Sequence, residues 1–452
     1  MNYIPVTELE KEEMLKEIGI NSIDELFRDI PEDLKFKGEL KLPKGLSEYE
    51  TRKALIKMAA KNTDMNQLAN YMGAGAYNHY VPTLVDHLLS RSEFYTAYTP
   101  YQPEISQGTL QSIYEFQTIV CELFGMDVSN ASVYDGATAV AEAMVMACDK
   151  KKTEIILSKG LHKEYSETVE TYANGMGFTV KYAELDEGIT PVEAFEAQAT
   201  DATAAYVVMY PNFYGCIEDI QKIADAAHAR KALLIVSVSD LSSMGILEAP
   251  GNLGADIVCG DGMPFAGPLS FSGPSIGLIA TTDKLIRKLP GRIVGITEDL
   301  EGKRAFVLTM QAREQHIRRE KASSNICSNQ ALYALANNIT LSTLGKYGLK
   351  EMAENTLTNA HYCRDKLLEI DGIEMLYDQP FYSEFALKLP IPARVLQKHL
   401  LKHEILGPVD MGIFDEELSN IGLFFVSEIR SKDDMDRLAV AVEVIINEQR
   451  FI

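Results

Sequence analysis

Residues 204–239 read AAYVVMYPNFYGCIEDIQKIADAAHARKALLIVSVS: two unbroken apolar runs, AAYVVMY (204–210) and ALLIVSVS (232–239), with a helical pattern between them. A strand with one wet face alternates polar and apolar residues. One that is apolar throughout is buried on both faces, which requires helices above and below a parallel sheet. EIILS (154–158), TVKYAEL (179–185), ADIVCG (255–260) and SIGLIATT (275–282) repeat the pattern. Alternation of such runs with helical segments from about residue 109 predicts an α/β domain built on a mainly parallel sheet.

Outward from this centre the pattern changes on both sides. After Asn325 come a long helix (ALYALANNITLSTL), a mixed region, the apolar run IGLFFVSE and the amphipathic KDDMDRLAVAVEVIINEQ, an ending that predicts a smaller α+β domain. Before residue 60 the chain reads as short helices, with Met14, Leu15, Ile18, Ile23, Leu26 and Phe27 spaced for burial. Three parts are expected: an N-terminal helical arm (1–60), a large α/β domain (61–325) and a small C-terminal α+β domain (326–452).

Composition narrows the function. The 65 acidic side chains outnumber the 43 basic ones, a net charge of −22 that repels polyphosphates, so no nucleic-acid partner is expected. None of the six cysteines lies in a C-x-x-C pair and most sit in apolar runs, the usage of inert core thiols in a reducing compartment. The acidic N-terminus has no apolar h-region, and no run of 18 apolar residues occurs; a soluble, cytoplasmic protein without membrane contact is expected.

Several segments invite a chemical reading. YTAYTPYQPEISQG (95–108) concentrates three tyrosines, two prolines, Glu104 and Gln107 between the helical segment VPTLVDHLLSRSEF and a helix beginning near Thr109. Prolines hold such a path extended, and the phenols and carboxylate either line a polar pocket or hydrogen-bond within a buried connector. Gly73 and Gly75 in YMGAGAYNHYVP form a tight turn or offer amides to an anion. In SVYDGATAVAEAMVMA (132–147), Asp135 caps an apolar helix, or Gly136 and Thr138 cradle a phosphate that Asp135 would repel. The turn-rich stretch 239–277 has the character of a site-bearing sheet edge yet contains no lysine. His79 and His162 lack metal-ligand spacing and are read as structural.

Taken together, YIPVTELEKEEMLKEIGINSIDELFRDIP, GAGAYNHYVPTLVDHLLSRSEFYTAYTPYQPEISQGTLQSIYEFQTIVCELFGMDVSNASVYDGATAVAEA, PNFYGCIED and REKASSNICSNQAL resemble the glycine dehydrogenase (decarboxylating) P-protein family over nearly the whole chain, and within it the alpha-type chains of enzymes split into two subunits. The resemblance implies a fold-type I, pyridoxal-phosphate transferase-like architecture, in which a buried aspartate holds the pyridine nitrogen and a lysine about 25 residues later forms the Schiff base. With Ala249–Gly251 and Phe265 as anchors, the lysine falls at Met263 and the aspartate at Ser237. Asp240, three residues on, is no substitute, because three steps along a strand reverse the side-chain direction.

The resemblance further implies a chain that holds no cofactor covalently and is inactive alone. Pyridoxal phosphate would sit on a beta-type partner subunit, and the pair would decarboxylate glycine and pass the aminomethyl group to the lipoylated H-protein. Tyr95, Tyr98, Thr99, Tyr101, Gln102 and Glu104 are then the loop contributed to the partner's pocket, and no residue is assigned a catalytic role within this chain itself. Arg318, Arg319 and Lys321 in IRREKASSN (317–325) either attract an acidic H-protein surface or form a solvated helix face. Two other readings are a structural or regulatory pseudoenzyme without contact to substrate, and a self-sufficient enzyme using Lys284, Lys288, Lys303 or Lys321, all of which lie in charged helical context.

Overall fold

The computed structural model describes residues 5–270, 273–322 and 324–449. Met1–Ile4, Phe271, Ser272 and Ser323, which fall within segments discussed above, lie outside the described residues. The chain divides into two compact units, Met1–Thr63 and Asp64–Ile452.

In the first unit, helix α1 (Glu8–Ile18) opens with a capping box between Thr7 and Glu10 and stops at Gly19, whose φ of 81° suits only a residue without a Cβ. Ser47 and Glu50 form the same box at the start of α2 (Glu48–Ala59). None of the described residues of this unit is buried. The burial expected for Met14, Leu15, Ile18, Ile23, Leu26 and Phe27 is therefore not found: Leu15 is half-buried and the other five are exposed. Periodicity records an apolar side correctly, but two short helices and a turn enclose no core.

The second unit begins with β1 (Ala69–Asn70), then α3 (Thr83–Leu89) and α4 (Ser92–Tyr95) where one helix was expected. Ser90 at the break turns its hydroxyl to the Asp86 carbonyl, and the chain restarts at Arg91. After α5 (Gln107–Phe124) come β2 (Val128–Ser129), α6 (Gly136–Ala147), β3 (Glu154–Ser158), α7 (Lys163–Met176), β4 (Thr179–Ala183), α8 (Val192–Gln198), β5 (Thr203–Met209), α9 (Ile220–Ala229), β6 (Leu233–Val238), β7 (Ile257–Asp261) and β8 (Gly277–Thr281). These strands form a seven-stranded sheet in the order β2-β8-β7-β6-β5-β3-β4. The run from β4 to β7 is parallel, whereas β8 is antiparallel to both of its neighbours.

Both faces are covered, which is why the strands are apolar throughout. In β5, Tyr206 and Val208 pack with Phe116 and Phe124 of α5, whereas Val207 and Met209 pack with Val140 and Met144 of α6. A hairpin, β9 (Ile293–Glu298) and β10 (Arg304–Thr309), lays Val294, Phe306 and Leu308 against Leu110 and Ile113 of α5. Beyond the short α10 (Gln315–Arg318), the helical run α11 (Ala331–Leu368) is interrupted at Gly345 (φ 59°, ψ −175°).

The remaining chain supplies β11 (Glu374–Met375), β12 (Glu384–Lys388), α12 (Ala393–Leu400), β13 (Ile405–Leu406), β14 (Val409–Asp410), β15 (Ile421–Phe425) and α13 (Lys432–Gln449). An antiparallel sheet β11-β12-β15-β14 buries Phe385, Leu387 and Phe424 against Leu396 of α12 and Leu438 and Val442 of α13. β1 pairs with β13 in a two-stranded sheet of its own, and the Phe425 amide of β15 donates to the Tyr71 carbonyl (3.0 Å), which ties this segment to the second sheet. The architecture is α/β with a mostly parallel central sheet and a smaller antiparallel one.

Candidate functional site

In open α/β sheets ligands gather at the carboxyl ends of the parallel strands. Here β6 ends in Ser237 and Val238, and the chain continues through Ser239 to Asp240. Ser237 is fully buried, and its Oγ has no hydrogen-bond partner among the described residues. Asp240 caps the turn Leu241–Gly245, accepting from the Ser242 amide (3.0 Å) and hydroxyl (2.6 Å), while Ser383 donates to its second oxygen (3.0 Å). Its carboxylate is committed to this loop.

His79 spans Asp240 and Glu428, with Nε2 3.1 Å from Asp240 Oδ1 and Nδ1 2.7 Å from Glu428 Oε2. Burial alone would lower its pKa, but the two carboxylates and their hydrogen bonds raise it to about 10, so His79 is an imidazolium at neutral pH. Burial opposes ionisation of Asp240 and Glu428 as well, yet His79 holds both below the usual carboxylate range. One turn earlier, the Ala74 amide donates to Glu384 Oε1 (2.6 Å) and the Tyr77 hydroxyl lies 2.8 Å from Oε2 and 3.1 Å from Ser239 Oγ. Burial pushes the Glu384 carboxyl up to about 8. The Gly73–Gly75 segment is thus a turn whose one freed amide is taken by an internal carboxyl. A Cβ on Gly73 would come 2.3 Å from Glu384 Oε1.

His162 is structural in the same way. Its Nδ1 accepts from the Glu164 amide (3.1 Å), which leaves the Nε2 proton for the Ala74 carbonyl (3.1 Å), and burial lowers its pKa.

At α6, Asp135 is the cap: its Oδ1 accepts from the Thr138 amide at 2.7 Å. The Gly136 amide donates instead to Asp261, the last residue of β7, at 3.1 Å. Asp261 also accepts from the Met263 amide (2.8 Å) and from the Ser275 hydroxyl (2.9 and 2.8 Å to its two oxygens). Met263 is buried at the start of the turn Met263–Phe265. Across the sheet, Ser237 on β6 pairs with Cys259 on β7, and Met263 lies in the turn that follows β7.

The tyrosine-proline loop is elsewhere and open. Tyr95 ends α4; Tyr98, Tyr101, Gln102 and Glu104 are exposed and Thr99 is half-buried. Tyr98 and Tyr101 rings lie 6.5 Å apart, and Arg292, buried at the start of the hairpin, places its guanidinium 5.4 Å from the Tyr101 ring centroid. Arg292 Nη1 donates to Asn329 (3.2 Å), and its Nε has no partner among the described residues. At the far end of the loop, the Gln107 carboxamide pairs with both backbone groups of Phe306 (2.8 and 2.9 Å) and holds the Pro103 carbonyl (2.7 Å). The buried-connector alternative does not describe this loop. Beside it opens a groove of about 520 Å³ lined by Leu84, Leu88, Phe94, Gln111 and Ile339.

Residues 1–442 match the family model described as glycine cleavage system P-protein. The chain belongs to that family. A relative from Brevibacillus brevis, described as probable glycine dehydrogenase (decarboxylating) subunit 1, is 51% identical over 445 residues, covering 98% of both chains. One of the same description from Bacillus subtilis is 49% identical, covering 96% of this chain and 97% of its own. A crystal structure of glycine decarboxylase (P-protein) of the glycine cleavage system, in inhibitor-bound form, matches with a TM-score of 0.90 at 39% identity over 98% of this chain and 100% of that one.

Within a P-protein frame, pyridoxal phosphate does not fit the residues that this chain presents. The amide of α6 that would face its phosphate is bound to Asp261, no lysine or arginine occurs anywhere in residues 232–283, and the Ser237 hydroxyl has no carboxylate to offer a pyridine nitrogen. The linear reading singled out Ser237, Met263 and the loop as candidates, and did not single out Asp261, Glu384, Glu428 or Arg292. An acidic residue closing the apolar run ADIVCGD was the available signal for Asp261; the others acquire meaning only from partners distant in the sequence, from 37 residues for Arg292 and Asn329 to 349 for Glu428 and His79.

Proposed function

We propose that this chain is the alpha-type subunit of glycine decarboxylase, a soluble cytoplasmic enzyme subunit that holds no cofactor itself and completes the site of a beta-type partner carrying pyridoxal phosphate. The observation that carries the reading is an exposed, braced loop of phenols and a carboxylate on a chain whose own corresponding pocket has methionine and serine at the two decisive positions. Four further exposed apolar side chains around Tyr98, namely Leu84, Tyr95, Tyr101 and Ile105, suit a surface covered by another chain.

In this reading Tyr95, Tyr98, Thr99, Tyr101, Gln102 and Glu104 enter the partner's pocket, where the phenols exclude water and the hydroxyl, amide and carboxyl groups orient glycine. The Arg292 and Gln107 braces keep that loop from paying its ordering entropy at each encounter. Aminomethyl transfer to the lipoyl arm of the H-protein then takes place on the partner, with exposed Arg318, Arg319 and Lys321 as a docking patch of suitable charge for an acidic surface.

The test is Tyr98→Phe combined with Glu104→Gln in the reconstituted pair. Glycine-dependent exchange of labelled CO2 should fall about 10- to 100-fold in kcat while assembly is unchanged, the range expected when orienting groups are lost. Unchanged turnover with altered assembly would favour the purely structural subunit instead.

A further inference from the structure

We propose that Asp261 is a built-in anion occupying the place of the cofactor phosphate, so that this chain keeps the architecture of a filled site while excluding any external phosphate. The inference rests on the reading of this chain as the half that holds no cofactor, and it extends that reading from the missing lysine to the phosphate end of the pocket.

Four features of the site support it. The carboxylate stands at the amino end of α6, a 12-residue helix whose first amide, on Gly136, donates to it at 3.1 Å. The positive end of a helix dipole with free amides is where a phosphate would bind. Donors also converge from two other segments, the Met263 amide at 2.8 Å and the Ser275 hydroxyl at 2.8 Å, so three pieces of chain close around one anion. Space is used up: a Cβ on Gly136 would lie 2.3 Å from the Tyr165 hydroxyl and 3.1 Å from Asp261 Cβ.

Charge points the same way. Asp261 is buried, and burial pushes its pKa up to about 6, so at neutral pH it is ionised and held by these donors, with no cationic partner among the described residues. A phosphate dianion entering here would meet both Asp261 and Asp135, with no basic side chain anywhere in residues 232–283 to offset them.

An occupant that belongs to the fold should be needed by the fold and replaceable by a small anion. The experiment is thermal unfolding of the full chain and of Asp261→Ala and Asp261→Asn, each titrated with formate and, separately, with inorganic phosphate. The wild type should show no shift with either probe. Asp261→Ala, which leaves two buried amides and the half-buried Ser275 hydroxyl without their acceptor, should melt about 5 °C lower or more, and formate should restore a large part of the loss. Asp261→Asn should also melt lower, because its NH2 group must face either the Gly136 or the Met263 amide, and formate should not help, the space being filled.

Stabilisation of the wild type by phosphate would overturn the proposal, as would an Asp261→Ala chain that melts like the wild type or ignores formate. Should Asp261→Ala fail to fold, recovery on refolding in formate but not in chloride supports the proposal, and equal failure in both overturns it. Equilibrium dialysis of the wild type with pyridoxal phosphate separates the two readings. Uptake fixed by borohydride would sink the account of a cofactor-free chain, whereas uptake not fixed by borohydride would sink only the assignment of Asp261.

Discussion

Glu384 and His79 show how a residue's meaning depends on what the fold brings to it. Glu384 lies on the small antiparallel sheet, yet its carboxyl is bonded to Ala74 and Tyr77 from the start of the same unit. Its folded pKa, pushed by burial to about 8, lies above the ordinary value of 4.5. A group of this kind stabilises the fold below pH 4.5 and loses that contribution as pH rises through about 8. Glu384→Gln keeps an acceptor for the Ala74 amide and cannot ionise. Its melting temperature relative to wild type should therefore climb between pH 5 and pH 8 and level off above that; a constant offset across pH 5–8 would show that Glu384 does not titrate as the geometry requires. His79, raised to about 10, acts in the same direction, its contribution being full below pH 6.5 and lost as pH rises through 10. The wild-type chain should accordingly be labile in alkali.

Among the elements, the loop 95–106 depends on the hairpin β9–β10. Gln107 replaces a strand neighbour for Phe306, satisfying its amide and carbonyl at once. Gln107→Leu would leave those groups unpaired, at a cost of about 1–3 kcal/mol. Cleavage by a protease within residues 95–106 should speed up well before the rest of the chain is attacked; an unchanged cleavage rate would mean that the loop is held from elsewhere. The apolar runs marked β3 to β8 to within two residues at most ends, because burial on both faces leaves a strand no polar position. The direction of β8 was not legible, since an apolar run does not record which way it points. The hairpin was missed as well: IVGITE and RAFVLT are short and half exposed, and lie in a charged stretch. The single helix expected at 81–94 broke on a serine whose preference for backbone carbonyls no periodicity registers.

For the whole molecule, the question is where the chemistry sits. Resemblance identified the family, and in the linear chain Ala249–Gly251 and Phe265, placed against the family pattern, put the proposed positions of the cofactor's two anchors at Ser237 and Met263. Asp261 could not be interpreted there, because its partners Gly136 and Ser275 flank it from 125 residues before and 14 after. Likewise the arm's apolar spacing was plain, but nothing linear says whether helices so short enclose a core, and none of the described residues of the first unit is buried. An exposed phenolic loop on an acidic chain suits the proposed pairing with a second polypeptide.

The division of labour between the two chains can be read directly. The assembled pair would be loaded with pyridoxal phosphate, reduced with tritiated borohydride and digested, and the labelled lysine located by peptide mapping. The account predicts that all of the label lies on the partner subunit, at about one lysine per pair, and none in any peptide of this chain. Stoichiometric label on a lysine of this chain, whether Lys284, Lys288, Lys303, Lys321 or another, would contradict it.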